Sequence, residues 1–208
     1  DLIAQEKIET SLLAGKSRAY GLEVSLKKNA GKLKGWISYT LSNTEQQVQG
    51  TTPEATGINN GAWYKAPYDK THDLSITASY EASKKWRFGS NFVYQTGRPV
   101  TYPIGQFTSN VGGNYDSPNE NITVPIYGDR NGERLPAYHH LDIAATYTPT
   151  KNNFRSWKGE WVFSIYNVYN RRNAASVNFR QNEDTGANEA VRTSIFGMVP
   201  SVTYNFKF

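Results

Sequence analysis

The residues best suited to chemistry stand in the stretch RLPAYHHLDIAATY, where His139, His140 and Asp142 crowd together. Imidazoles and carboxylates hold metal ions or move protons when they converge on one point. Neighbours in a β-strand point to opposite faces, so His139 and His140 diverge, whereas His140 and Asp142 share a face. That geometry predicts a hydrogen-bonded pair and no metal site. His72 and Asp73 diverge in the same way. In GDRNGE, residues 128–133, the alternation of Asp129, Asn131 and Glu133 is faintly like a calcium loop. The late carboxylate and the specific glycine of such a loop are absent, so an Asn-Gly turn is expected. Asp116, Glu120, Asp129 and Glu133 are loop carboxylates, and no serine sits in a nucleophile elbow. The residues predict no catalytic constellation, no cofactor and no enzyme.

Binding is better supported than catalysis. NNGAWYKAPYD and GRPVTYPIGQF carry Trp63, Tyr64, Tyr68, Arg98, Tyr102 and Phe107 in long loop-like segments. Aromatic residues in loops on a rigid scaffold commonly form binding surfaces and stacking platforms. These six are the ligand-binding candidates. A competing reading has Trp63 and Tyr64 extending an aromatic girdle, with the prolines stiffening the loops. Arg171 and Arg172 are candidates for lipopolysaccharide phosphates.

The elements that must position these residues are strands. Apolar and polar residues alternate along seven segments, each long enough to cross a bilayer when tilted. Tyr20, Leu22, Val24 and Leu26 stand against Glu23; Leu33, Ile37, Tyr39 and Leu41 against Lys34, Ser38 and Thr40, with Trp36 on the polar side. Leu74, Ile76, Ala78 and Tyr80 oppose Asp73; Trp86, Phe88, Phe92 and Tyr94 oppose Arg87 and Asn91. Leu141, Ile143, Ala145 and Tyr147 oppose Asp142 and Thr146; Trp161, Phe163 and Ile165 oppose Glu160, with a phase break near Asn167. The last segment sets Phe196, Met198, Val202, Tyr204, Phe206 and Phe208 against Ser201, Thr203, Asn205 and Lys207. Short connections alternate with long ones at 43–70, 97–137 and 171–192, as in outer-membrane barrels with short periplasmic turns and long outer loops. Tyr39, Tyr80, Trp86, Tyr94, Tyr147, Trp161 and Tyr204 are placed to form two interfacial girdles. The fold class expected is all-β: an antiparallel transmembrane β-barrel meander of about seven or eight strands. Glu23, Asp73, Arg87, Asn91, Asp142 and Glu160 are its lumen-facing candidates.

The bulk numbers agree. The chain is 13% aromatic yet has a mean hydropathy of −0.65, which suits a wall where every second residue is apolar. No apolar run is long enough for a membrane helix. There is no cysteine, so no disulfide scaffold and no thiolate metal site. The net charge of +5 is scattered through turns and loops, and no nucleic-acid partner is expected.

The sequence stops inside strand alternation. Tyr204, Phe206 and Phe208 resemble the C-terminal signal read by the outer-membrane barrel assembly machinery. SRAYGLEVSLKK, GKLKGWISYTLS, YKAPYDKTHDLSI, FVYQTGRPVTYPIG, RLPAYHHLDIAATY, FSIYNVYNRRNA and the closing strand together resemble the C-terminal part of a TonB-dependent receptor. His140 departs from that pattern, where an arginine is common. The resemblance covers nearly the whole chain. It implies a barrel of about 22 strands, of which residues 1–208 would be the C-terminal portion. The plug domain would lie outside this chain, and DLIAQEKIETSLL would supply an additional strand. The implied function is energised import of a scarce nutrient such as a siderophore, cobalamin, glycan or peptide. The implied partners are outer-membrane lipid and lipopolysaccharide, the assembly machinery, TonB through the N-terminal part, and a surface lipoprotein. The implied location is the bacterial outer membrane. Two alternatives stand beside it: a small self-contained outer-membrane barrel, and a secreted β-sandwich that binds carbohydrate.

Overall fold

The computed structural model describes residues 13–50, 56–111, 120–149, 158–182 and 188–207. These residues form antiparallel strands with turns and one 3-10 segment over Ile58–Gly61, and no α-helix occurs among them. The long strands are β1 (Lys16–Lys28), β2 (Leu33–Gln47), β4 (His72–Glu81), β5 (Trp86–Gln95), β10 (Tyr138–Tyr147), β11 (Lys158–Tyr166) and β14 (Val199–Lys207). The remaining strands are β3 (Tyr64–Lys65), β6 (Pro99–Val100), β7 (Pro103–Val111), β8 (Glu120–Tyr127), β9 (Glu133–Arg134), β12 (Ser176–Gln181) and β13 (Asn188–Thr193).

The seven long strands are the seven that alternation predicts, in one sheet of order β1-β2-β4-β5-β10-β11-β14, with β3 added to β2. Strand boundaries moved at both ends: β1 begins before Tyr20, and β14 begins after Phe196 and Met198. Among the described residues β1 and β14 have one long neighbour each, so the sheet they form is open. Phe208 and residues 1–12, which hold most of the expected additional strand, lie outside the described residues.

Two of the segments expected to be long loops contain hairpins and pairs of their own. β6 pairs with β9, β7 with β8, and β12 with β13. Sequence reading passed over the β7–β8 hairpin because Pro103 and Pro125 punctuate it, and proline demotes a run from strand. In β12–β13 the alternation is too polar to stand out; Arg180 and Glu189 face each other and bond at 2.6 Å.

The chain divides into two compact units. The first comprises the described parts of 1–20, 43–69 and 98–134; the second comprises 21–42, 70–97 and the described parts of 135–208. In the second unit one register runs across the sheet. Leu33 faces Tyr80, Tyr80 faces Phe88, Phe88 faces Ala145, Ala145 faces Phe163, and Phe163 faces Val202. Every apolar set therefore falls on the same side. A slip of one residue in any ladder would move a whole set across.

Tight approach fixes one corner of this unit. A Cβ on Gly97 would lie 1.7 Å from the Leu135 carbonyl oxygen, whereas one on Gly89 meets nothing closer than 4.0 Å. Gly97→Ala is expected to lower the unfolding free energy of the chain by at least about 1–3 kcal/mol. Gly89→Ala should stay within about 0.5 kcal/mol. Chemical-denaturation midpoints of the two variants check this, and equal midpoints would contradict it.

Candidate functional site

Three surfaces carry the functional candidates. The first is the apolar face of the second unit. Its side chains are not covered: Leu22, Val24, Leu26, Ile37, Phe88, Ile143, Phe163 and Val202 are exposed, from 41% for Ile143 to 67% for Leu26. Buried hydrophobic side chains among the described residues are Tyr64, Ala66 and Leu135. The sheet thus keeps its apolar residues on a surface and not in a core. A depression of ≈ 680 Å³ lies on this unit, with Tyr80, Phe88, Ile143, Phe163 and Val202 in its lining.

Two aromatic rows run across the same face. In one, Trp86, Tyr147, Trp161 and Tyr204 stand opposite one another on four successive strands. Ring centroids are 4.9 Å apart for Trp86–Tyr147 and 4.6 Å for Trp161–Tyr204. In the other, Tyr39, Leu74, Tyr94 and His139 are opposed. The Tyr39 hydroxyl is 2.8 Å from His72 Nδ1, and the Tyr169 hydroxyl is 2.7 Å from His139 Nδ1. Trp86 and Tyr94 are eight residues apart in one strand, as are Tyr147 and His139.

The second surface is the opposite, polar face. Alternation puts Glu23 there, and pairing puts Asp73, Arg87, Asn91, Asp142 and Glu160 there with Trp36, which faces Thr77. Asp73 accepts a hydrogen bond from Gln95 at 3.0 Å, and Asn91 opposes Asp142. Arg87 reaches across β10 to Glu160 at 3.8 Å, and Glu160 accepts from Asn205 at 3.2 Å. His139 and His140 diverge as expected, and His140 Nε2 is 3.3 Å from Asp142 Oδ2. The other oxygen of Asp142 accepts the backbone N–H of Asn167 at 2.9 Å. Asn167 is wholly buried, with φ of 52°, and ties itself to the Arg171 backbone through both its amide atoms. His140 Nδ1 is buried and has no hydrogen-bond partner among the described residues. No group of three metal-ligating side chains occurs among the described residues.

Arg171 does not face outward. Its guanidinium donates to the Ala137 carbonyl at 3.1 Å and to Asn173 at 3.2 Å, so it holds the turn after β11. Arg172 is exposed.

The third surface belongs to the first unit. Of the loop candidates, Tyr68 is 64% exposed and Phe107 51%, and Trp63 has the Arg18 guanidinium 4.2 Å over its ring. Tyr64 corrects the expectation. It is 7% exposed, because β3 pairs with β2 and turns this ring inward. Tyr102 is partly buried, and burial pushes its phenol up, with Glu133 adding to the shift. Arg98 is exposed. Sequence reading missed Asp69, which is 1% exposed, ion-paired with Arg134, and accepts the Thr44 N–H at 2.6 Å. It also missed a groove of ≈ 520 Å³ lined by Gly57, Asn59, Asn60, Ile104, Tyr127, Gly128 and Asp129. GDRNGE is a turn, with the Gly132 N–H donating to the Asp129 carbonyl at 3.1 Å, and it forms one wall of that groove. The carboxylate of Asp69 has no signal of its own, since a buried aspartate and a surface one are spelled alike.

Comparison of the chain with family models, with curated proteins and with solved structures finds no match.

Breaking one side of a buried ion pair leaves an uncompensated charge. Arg134→Ala is expected to destabilise the first unit by about 3–5 kcal/mol, with Asp69→Asn in the same chain restoring part of the loss. Hydrogen exchange at Thr44 and Ala66 reads this locally. Unchanged protection in Arg134→Ala would contradict it.

Proposed function

We propose that the chain is part of the wall of an outer-membrane β-barrel, the C-terminal part of a TonB-dependent receptor that imports a scarce nutrient. The observation that carries the wall is the exposed apolar face bounded by two aromatic rows. Eight residues of strand span roughly 27 Å. A tilt of about 40° shortens this to about 21 Å, close to the apolar band of outer-membrane barrels with its aromatic girdles. A sandwich would need that face buried against a second sheet about 10 Å away. The exposures of its side chains do not favour that alternative.

The assignment to TonB-dependent receptors rests on the sequence resemblance. In this reading the open edges of β1 and β14 are completed by strands outside this chain, giving a barrel of about 22 strands. Short turns face the periplasm, and the connections that carry β6–β9, β7–β8 and β12–β13 face outward. Glu23, Asp73, Arg87, Asn91, Asp142 and Glu160 line the lumen, and Tyr204, Phe206 and Phe208 serve the assembly machinery. TonB acts through the N-terminal part and its plug, and a surface lipoprotein is a further partner. A small self-contained barrel is the second reading. The same apolar face favours it, with closure supplied by the residues outside those described.

A charge on the lipid side costs far more than one on the lumen side. Phe163→Arg is expected to destabilise the barrel by about 2–4 kcal/mol and to lower its level in the outer-membrane fraction. Ser164→Arg, one residue on, should leave that level near that of the parent. Fractionation with heat-modifiability on gels measures both. Equal tolerance of the two variants would overturn the membrane-wall reading.

A further inference from the structure

The groove of the first unit has features that neither the wall nor the lumen uses. Its rim is held open by an asparagine clasp. Asn59 Oδ1 accepts the Arg130 N–H at 2.8 Å, and Asn59 Nδ2 donates to the Arg130 carbonyl at 3.1 Å. Asn131 continues the clasp, donating from its backbone to Thr101 Oγ1 at 3.0 Å and from its side chain to the Lys65 carbonyl at 2.8 Å. Asn59, Asn60 and Asn131 all have left-handed backbones, with φ of 50°, 54° and 57°. Asparagine tolerates that conformation, and the clasp fixes it here.

The walls then present three uncommitted groups. Tyr127 is 60% exposed, and Asn60 and Asp129 are exposed as well. None of the three makes a side-chain hydrogen bond or ion pair among the described residues. Gly57 and Gly128 lie in the lining, where a Cβ on Gly57 would sit 2.3 Å from the Val48 carbonyl oxygen. Gly57 is thus packed against the backbone of 48–50, which fixes the path of that wall. At ≈ 520 Å³ the groove falls within the usual range for small-molecule sites.

The chemistry of these groups selects the ligand. An amide gives and accepts hydrogen bonds at once, and a carboxylate accepts two hydroxyl donors side by side. A tyrosine ring offers an apolar face with a polar tip. Vicinal hydroxyls beside a flat patch of C–H groups match this set. Among the described residues no lysine or arginine side chain lines the groove, so this lining does not favour a phosphate or a carboxylate ligand.

We propose that this groove is a binding site for a neutral oligosaccharide, with Tyr127 stacking on a sugar ring and Asn60 and Asp129 bonding its hydroxyls. As the nutrient class, the proposal rests on the receptor reading. The binding itself does not.

The test uses the full chain in detergent on an array of neutral hexose and N-acetylhexosamine oligosaccharides. Affinity for whatever is retained is then measured by calorimetry. Retention of at least one glycan is expected, with a loss of tenfold or more in Tyr127→Ala and of about tenfold in Asp129→Asn. Asp129→Asn keeps the shape of an exposed side chain, so it reads the site even if Tyr127→Ala fails to fold. Phe179→Ala, in the β12–β13 hairpin, should leave affinity unchanged. No retained glycan would overturn the proposal. So would a glycan whose affinity neither groove variant alters. Detergent phase partitioning separates the two readings: sugar binding by a chain that stays in the aqueous phase would keep the groove and remove the receptor.

Discussion

The structure depends on one constraint, the shared register of the six strands β2, β4, β5, β10, β11 and β14. Because side chains alternate with period two, each ladder has two outcomes, and all of the ladders described choose the one that collects the apolar sets on a single face. Cross-strand neighbours on that face, such as Ile37 with Ile76 and Ile143 with Ile165, contribute a few tenths to about 1 kcal/mol each. Those contacts cannot replace a core. The face is a surface that must be covered by something apolar, and everything proposed about membrane and barrel follows from it.

Tight turns and asparagines hold that register at its ends. The Glu81 N–H donates to the Lys32 carbonyl at 2.8 Å and the Thr148 N–H to the Lys85 carbonyl at 2.8 Å, tying neighbouring strand ends. At the other ends of the strands asparagine does the same work with its side chain. Asn167 bonds both backbone groups of Arg171 while its own N–H donates to Asp142, Asn173 bonds both backbone groups of His139, and Asn170 accepts the Met198 N–H at 2.8 Å. All five described non-glycine residues with left-handed φ are asparagines. Asparagine tolerates that conformation and can bond the backbone locally, so it turns a chain and knots it at once.

The long strands were legible in the sequence because alternation over nine or more residues has no competing explanation. The polar-face positions of Asp73, Arg87, Asn91, Asp142 and Glu160 followed from the same parity. The split of His139 from His140 followed too. What was not legible is tertiary. The hairpins β7–β8 and β12–β13 are proline-marked or polar, so their alternation does not stand out from the loop-like segments that carry them. Tyr64 was read as a platform because local sequence cannot say which side of β3 is covered. The groove at Asn60, Tyr127 and Asp129 is built from segments more than sixty positions apart, and no spacing rule joins them.

The central claim is that the apolar face meets lipid and the other face meets water. The chain has no cysteine, so single cysteines can carry a nitroxide without background. The measurement is the relative accessibility of the label to oxygen and to a water-soluble nickel chelate, at Val162, Phe163, Ser164 and Ile165 in turn, with the protein in outer-membrane lipid. The account predicts alternation: oxygen favoured at Phe163 and Ile165, the nickel chelate at Val162 and Ser164. Nickel accessibility at all four positions, or shielding of Phe163 and Ile165 from both reagents, would contradict it.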